Sequence, residues 1–279
     1  MCNTCGCNVT PGNRHLLFTS PQHQPVSAVN VLSNLLKHND AHAEQNRAKF
    51  DAHGVLAINL MSSPGSGKTA LLEATIQRLK HKLNIGVIEG DLETENDADR
   101  IRAQGVPAYQ ITTGTACHLD AYLIEPALDA FDLAQLDLLF IENVGNLVCP
   151  ASFDLGHHRN VTLLSVTEGY DKPAKYPVMF RAVDLMLITK TDLLPHVGDF
   201  SPEKAEQYQR RLASQAPVIS LSSRSGDGME IWLDWLQQEV ADHKQRVAQH
   251  QTVRPKIQQD GQNLHAPVAA PQVRPVVSL

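Results

Sequence analysis

No run of apolar residues in this 279-residue chain is long enough to cross a bilayer, and its opening lacks the basic-then-apolar pattern of a secretory signal. The expected compartment is the cytoplasm, with no membrane partner. A block of Lys and Arg is also missing: 24 basic residues face 30 acidic ones, for a net charge of −6. That balance gives no electrostatic footprint for a phosphate backbone, so no nucleic-acid partner is expected. There is no internal repeat. Cysteine is scarce, at five residues. An odd count in a reducing compartment argues against a disulfide framework.

The placing of those cysteines is informative. Cys2, Cys5 and Cys7 fall within the first seven residues, flanked by Asn3, Thr4 and Gly6 with nothing apolar to pack against. Thiols so close together on a flexible segment suit one soft metal ion. A redox pair is the alternative reading of such spacing, and short cysteine motifs also arise without function. Zinc would take the thiols tetrahedrally, whereas Ni²⁺ favours a square-planar set of N and S donors. The amino group beside Cys2 is a candidate nitrogen donor.

Composition divides the chain into four stretches. Residues 1–25 read as a metal-binding segment and polar linker, and 26–54 as a helix carrying Val29, Leu32, Leu35 and Leu36 at helical spacing. From 55 to 242 short apolar runs alternate with helical patterns. The runs are 57–61, 85–89, 106–111, 136–141, 162–166, 185–189 and 218–221, with helical stretches at 68–82, 116–131 and 202–215. This alternation predicts an α/β domain with a mostly parallel sheet covered by helices on both faces. Residues 243–279, rich in Gln, Pro and Val, read as a disordered tail.

The first apolar run leads into Ser62-Ser-Pro-Gly-Ser-Gly-Lys-Thr69 and then a helix. Strand, Gly-rich loop and helix in that order form a phosphate-binding loop, although Ser62 stands where the first Gly is usual. Gly65 and Gly67 let the backbone N–H groups of Gly65, Ser66, Gly67, Lys68, Thr69 and Ala70 face phosphates. They add to the roughly half-unit positive charge of the helix N-terminus. Lys68 is placed to neutralise the β/γ oxygens and Thr69 to offer a hydroxyl to Mg²⁺. Glu142-Asn-Val-Gly145 follows another apolar run, so Glu142 is a candidate metal-side acid and Gly145 a candidate donor to the γ-phosphate. Asp91 also follows a strand and is a second Mg²⁺ candidate. A helix cap or a turn is the alternative use of either acid; the metal role is the one expected here, for Glu142 above all.

Lys190 and Asp192 sit two apart after a further run. An Asp there can accept the N1–H and 2-amino hydrogens of guanine, and such paired bonds reject an analogue lacking them by about 10⁴. The stem of Lys190 would lie along the base, and Ser222 and Ser223, after the last run, are placed to give backbone N–H to the guanine oxygen. GTP is the expected nucleotide.

From about Arg47 to Leu236, and again over the opening cysteines, the chain resembles the HypB hydrogenase nickel-incorporation GTPases. The most specific stretches are Thr113-Gly-Thr-Ala-Cys-His-Leu-Asp120, Glu142-Asn-Val-Gly-Asn-Leu-Val-Cys-Pro150 and Ser165-Val-Thr-Glu-Gly-Tyr-Asp-Lys-Pro173. The resemblance implies a P-loop NTPase fold of SIMIBI type and a GTP-favoured homodimer. It implies slow GTP hydrolysis, with Lys68, Asp91 and Glu142 as the catalytic group. It further implies delivery of Ni²⁺ to the large-subunit precursor of [NiFe] hydrogenase together with a zinc-containing HypA-type metallochaperone. By the same resemblance, Cys2, Cys5 and Cys7 form a tight nickel site, and Cys117, His118 and Cys149 a weaker one for Ni²⁺ or Zn²⁺.

The residues themselves accommodate that second site, since adjacent Cys117 and His118 with Cys149 make a soft N/S set. Thiol ligands must lose protons, from a pKa of about 8.5, so binding should weaken as pH falls. His157 and His158 read as surface residues. A urease-type nickel GTPase, a P-loop small-molecule kinase, and a metal store with a vestigial nucleotide site are the rival readings. The guanine-type Asp192 and the lack of an acceptor-substrate pocket motif oppose the kinase, and intact Lys68, Thr69 and Asp192 oppose the metal store.

Overall fold

The computed structural model describes residues 28–91, 95–114, 116–212 and 215–257. Cys2, Cys5 and Cys7, the linker after them and the end of the expected tail lie outside the described residues.

Seven strands form one sheet: β1 (Leu56–Ser62), β2 (Ile85–Asp91), β3 (Ala108–Thr112), β4 (Leu138–Glu142), β5 (Arg159–Ser165), β6 (Leu185–Thr189) and β7 (Val218–Ser220). Their order is β3-β2-β4-β1-β5-β6-β7, with every pair parallel. Parallel strands need crossovers, which here are mostly helical: α2 (Lys68–Leu79), α3 (Asn96–Arg102), α4 (Ala121–Leu128), α5 (Lys172–Lys175), α6 (Pro177–Arg181) and α7 (Pro202–Arg211). Helix α1 (Ala28–His53) precedes the sheet and α8 (Met229–Ala248) follows it.

All seven residues of β1 and all five of β4 are buried, as expected when helices cover both faces. Alternate residues point to opposite sides. Leu56, Ile58, Leu60 and Phe140 pack with Leu71 and Ile76 of α2 and Trp232 of α8 on one face. Ala57, Leu139 and Ile141 pack with Phe50 of α1 and Ile124 of α4 on the other. Trp232 is fully buried and donates its indole N–H to Thr75 Oγ1 at 2.9 Å. Among the described residues no helix is long and apolar enough to cross a membrane.

Three expectations need correction. The helix expected from 116 begins at Ala121, leaving Cys117 and His118 in the loop before it. The final helix runs past 243, where the tail was expected to begin, to Ala248. The chain then returns over α1 and β5: Thr252 Oγ1 donates to Asp51 at 3.1 Å, Arg254 pairs with Glu44, and Lys256 O accepts from Asn160 Nδ2 at 3.1 Å. Finally, His157 and His158 are 0% and 1% exposed, not surface residues. His157 Nε2 lies 2.7 Å from Asn160 Oδ1, and His158 Nε2 lies 3.1 Å from Asp51 Oδ1.

Candidate functional site

The loop joining β1 to α2 turns tightly because Gly65 and Gly67 adopt φ of +76° and +94°, where a side chain is strained. The N-terminus of α2 therefore opens on a cavity of about 410 Å³ lined by Gly65, Gly67, Lys68, Thr69, Ala70, Asp91, Glu142 and Gly145, among others. Gly145 approaches the loop so closely that a Cβ there would stand 2.9 Å from Pro64 backbone atoms. Lys68 Nζ donates to Ser62 Oγ at 3.2 Å and lies 3.7 Å from Glu142 Oε1, which also accepts from Thr69 Oγ1 at 3.1 Å. Five separate expectations thus meet in one cavity: the loop glycines, Lys68, Thr69, Glu142 and Gly145. Asp91, at the end of β2, lies on its wall.

Sequence reasoning missed Glu89. It pairs in register with Glu142 across β2 and β4 and is 2% exposed. Burial, then the charge of Glu142, push its carboxyl well above the usual carboxylate range. Burial raises Glu142 as well, with Lys68 pulling against it. Glu89 Oε1 and Glu142 Oε2 are buried without a hydrogen-bond partner. Two adjacent acids with orphaned oxygens beside the Thr69 hydroxyl are a donor set that fits a hard dication such as Mg²⁺. The readable signal was an acid closing the apolar run Ile85-Gly-Val-Ile-Glu89.

The outer side of the loop is tied down by other strands. Thr189 Oγ1 donates to Ser66 O at 2.8 Å, and Lys190 Nζ to Gly65 O at 2.6 Å. Glu168 accepts from Ser66 Oγ at 2.6 Å and from Ser63 Oγ at 2.5 Å. Ser66 departs from expectation, because its N–H is donated to Ser63 O at 3.4 Å and it does not line the cavity, whereas Gly65, Gly67, Lys68, Thr69 and Ala70 do. Lys190 itself stands at φ +60°, an unusual conformation for a non-glycine residue. Its ammonium braces the phosphate loop. Asp192, in the 3₁₀ helix Thr191–His196 after β6, and Ser223, in the turn after β7, do not line the cavity. Ser222 departs from expectation, because its N–H is already donated to Asp227 O at 2.8 Å. Its hydroxyl instead donates to Asp192 Oδ1 at 2.7 Å and fixes that carboxylate.

Cys117, His118 and Cys149 come together as expected, with donor atoms all within 4.8 Å of one another. Cys117 Sγ is 3.1 Å from Cys149 Sγ, well beyond the ~2.05 Å of a disulfide. His118 is 5% exposed, stacked on Phe153 at 3.9 Å between ring centroids. Two asparagines join this loop to the exit of β4: Asn143 Oδ1 accepts from Leu119 N, and Asn146 Nδ2 donates to Cys117 O, both at 3.2 Å. The segment 142–149 therefore carries the acid that meets Thr69 at one end and a thiol of the metal set at the other.

A second cluster, Asp51, His158 and His243, also has donors within 4.8 Å. One of its histidines is already committed to other partners. His158 Nδ1 accepts the Ala57 N–H at 3.0 Å, so the ring proton resides on Nε2 and is donated to Asp51. His158 itself therefore turns no lone pair toward the cluster.

Residues 56–220 match the model of the CobW/HypB/UreG nucleotide-binding domain. The hydrogenase maturation factor HypB of Azotobacter vinelandii is 54% identical over 209 residues, covering 75% of this chain and 69% of that one. Among solved structures, HypB from Helicobacter pylori in complex with nickel superposes with a TM-score of 0.71 at 41% identity, covering 74% of this chain and 97% of that one. HypB from Archaeoglobus fulgidus gives 0.69 at 40% identity, covering 74% and 100%. With an α/β nucleotide cradle and a clustered Cys-His-Cys set on a scaffold this similar, the chain belongs to the HypB hydrogenase maturation factor family.

Proposed function

We propose that this protein binds and slowly hydrolyses GTP, and uses the nucleotide state to control Ni²⁺ destined for the large-subunit precursor of [NiFe] hydrogenase. The observation that carries the reading is the 142–149 segment, which touches the phosphate-loop Thr69 through Glu142 and the thiol of Cys117 through Cys149. A γ-phosphate drawing Gly145 toward Pro64 would displace Cys149 and alter the metal set. The names of the relatives, and the nickel bound to the Helicobacter pylori protein, support the cargo and the pathway.

The Lys68 side chain and the loop N–H groups of Gly65, Gly67, Lys68, Thr69 and Ala70 position the triphosphate and stabilise the charge that develops on it. Thr69, Glu142 and Asp91, with Glu89 beside them, would hold Mg²⁺, which supplies positive charge to the β/γ oxygens when bound. Asp91 on the cavity wall is a candidate to orient the attacking water, as is a group from a second copy. Asp192, fixed by Ser222, selects guanine, with Lys190 and Ser223 beside it. Cys117, His118 and Cys149 hold Ni²⁺ or Zn²⁺, and Cys2, Cys5 and Cys7 a tighter nickel ion. A GTP-favoured homodimer, a HypA-type metallochaperone donor and a cytoplasmic location complete the proposal.

Two measurements on the full chain test it. One is GTP turnover by phosphate release for wild type and Lys68→Ala. The other is Ni²⁺ titration with GDP and with a non-hydrolysable GTP analogue. Turnover that needs Lys68, together with a nucleotide-dependent nickel affinity, supports the reading. Absent turnover, or affinity blind to the nucleotide, defeats it.

A further inference from the structure

The metal set proposed above contains a histidine with two nitrogens, and the two face different neighbours. His118 Nδ1 lies 3.7 Å from Cys117 Sγ, on the side of the thiols. His118 Nε2 lies 2.9 Å from Asp120 Oδ1. An ionised carboxylate only accepts hydrogen bonds, so Nε2 carries the ring proton and donates it. The lone pair is then on Nδ1, aimed at the thiols. His158 is the contrary case in the same molecule, with its free lone pair already committed to a backbone N–H.

Asp120 occupies a position where another use would be ordinary. It is the N-cap of α4, at φ −105° and ψ 154°, and Asp is among the preferred N-caps. Yet its side chain makes no capping hydrogen bond. The first helical N–H, that of Ala121, is taken by Asn39 Oδ1 of α1 at 2.8 Å. A residue from a different helix therefore caps α4, and the Asp120 carboxylate is left to the imidazole. Phe153, stacked on the ring at 25° between planes, fixes the remaining rotation.

We infer that Asp120 is the positioning residue of the Cys117–His118–Cys149 set, committing His118 to bind the ion through Nδ1. The inference rests on the metal reading of those three residues. A carboxylate on the far nitrogen fixes the tautomer and strengthens the near nitrogen as a donor, and losing such a partner typically weakens metal affinity by about 10–100-fold. It also gives the motif Cys117-His-Leu-Asp120 a physical reason for its spacing. A single residue, Leu119, separates the acid from the histidine at the mouth of a helix, so the carboxylate can fold back onto the ring.

The test uses the full chain with Cys2, Cys5 and Cys7 replaced by Ser, so that one class of site is read. Zn²⁺ and then Ni²⁺ are titrated against a chromophoric chelator in this parent and in its Asp120→Ala, Asp120→Asn and His118→Ala derivatives. Long-range proton–nitrogen NMR of ¹⁵N-histidine protein reads the His118 tautomer before metal is added. The expected result is a proton on Nε2 in the parent and a mixed tautomer in Asp120→Ala with affinity down about 10–100-fold. Asp120→Asn, whose amide oxygen still accepts from Nε2–H, should keep the tautomer and lose less. Parent affinity in Asp120→Ala alongside weak binding in His118→Ala would overturn the Asp120 assignment alone, as would a proton on Nδ1 in the parent. Parent affinity in His118→Ala would remove the histidine from the metal set and take this inference with it.

Discussion

Asn143 accepts the backbone N–H of Leu119 through its Oδ1 at 3.2 Å, so the residue next to His118 hangs from the residue next to Glu142. The same oxygen accepts Val144 N at 3.0 Å, and the amide nitrogen donates to Asn59 Oδ1 at 3.1 Å. Asn143 is 1% exposed, so none of these bonds competes with bulk water. Asn143→Ala should leave buried donors unsatisfied and cost about 1–3 kcal/mol of stability, read by denaturant unfolding. It should also shrink the difference in Ni²⁺ affinity between GDP and GTP-analogue states. An undiminished difference would mean that the metal loop follows the nucleotide by another route.

Gly145→Ala is expected to lower GDP affinity at least tenfold by calorimetry, because the new methyl meets Pro64 backbone that cannot swing aside. Circular dichroism separates this from misfolding. Unchanged affinity would show that the exit of β4 retreats freely from the phosphate loop.

Glu89 and Glu142 set a pH dependence of definite sign. A carboxyl raised in the folded state contributes stability below its unfolded value near 4.5, and that contribution is lost as pH rises through the folded value. At neutral pH, without metal, the pair opposes folding. Glu89→Gln should therefore raise Tm by about 2–4 °C in EDTA, while weakening Mg²⁺-dependent nucleotide binding. A lower Tm would argue that the two acids are already neutralised in the apo protein.

The buried histidines act in the opposite sense. Burial pushes His157 from 6.5 down to about 4, and burial followed by the charge of His158 pushes His243 to about 3. Their contribution is complete above 6.5 and drains away as pH falls toward those values, since the unfolded chain takes up protons first. At about 1.4 kcal/mol per pH unit, His157 alone accounts for ~3 kcal/mol. Neither ring nitrogen of His243 has a hydrogen-bond partner. His243→Leu should thus be tolerated near neutral pH and lose less stability than wild type at about pH 5, compared by urea midpoints.

The parts legible in the sequence were those whose chemistry is local. A phosphate loop needs its glycines, Lys68 and Thr69 within one strand–loop–helix unit, and all were visible there. Glu142 was legible because it follows an apolar strand. Glu89 was not singled out, because its meaning depends on register with Glu142, 53 positions away. His157 and His158 misled because their neighbours Gly156 and Arg159 look solvent-facing. Their burial comes from α1, where Arg47 pairs with Asp154 at 2.6 Å and Asp51 holds His158. The second half of α8 is polar, and its inward stripe includes a histidine, so its periodicity read as tail. Asp120 was not singled out, because its role depends on Asn39 of α1 taking the first helical N–H in its place.

The segment 142–149 also has a consequence for the direction of information. Coupling between two bound species is reciprocal: whatever factor separates nickel affinity in the two nucleotide states also separates the nucleotide affinities of nickel-loaded and nickel-free protein. On the proposed reading, a single stretch of chain linking Thr69 to Cys117 would let cargo bias the nucleotide as strongly as the nucleotide biases cargo. An empty carrier and a full one would then settle at different GTP-to-GDP ratios from the same cellular pool, which makes the protein a gauge of its own supply.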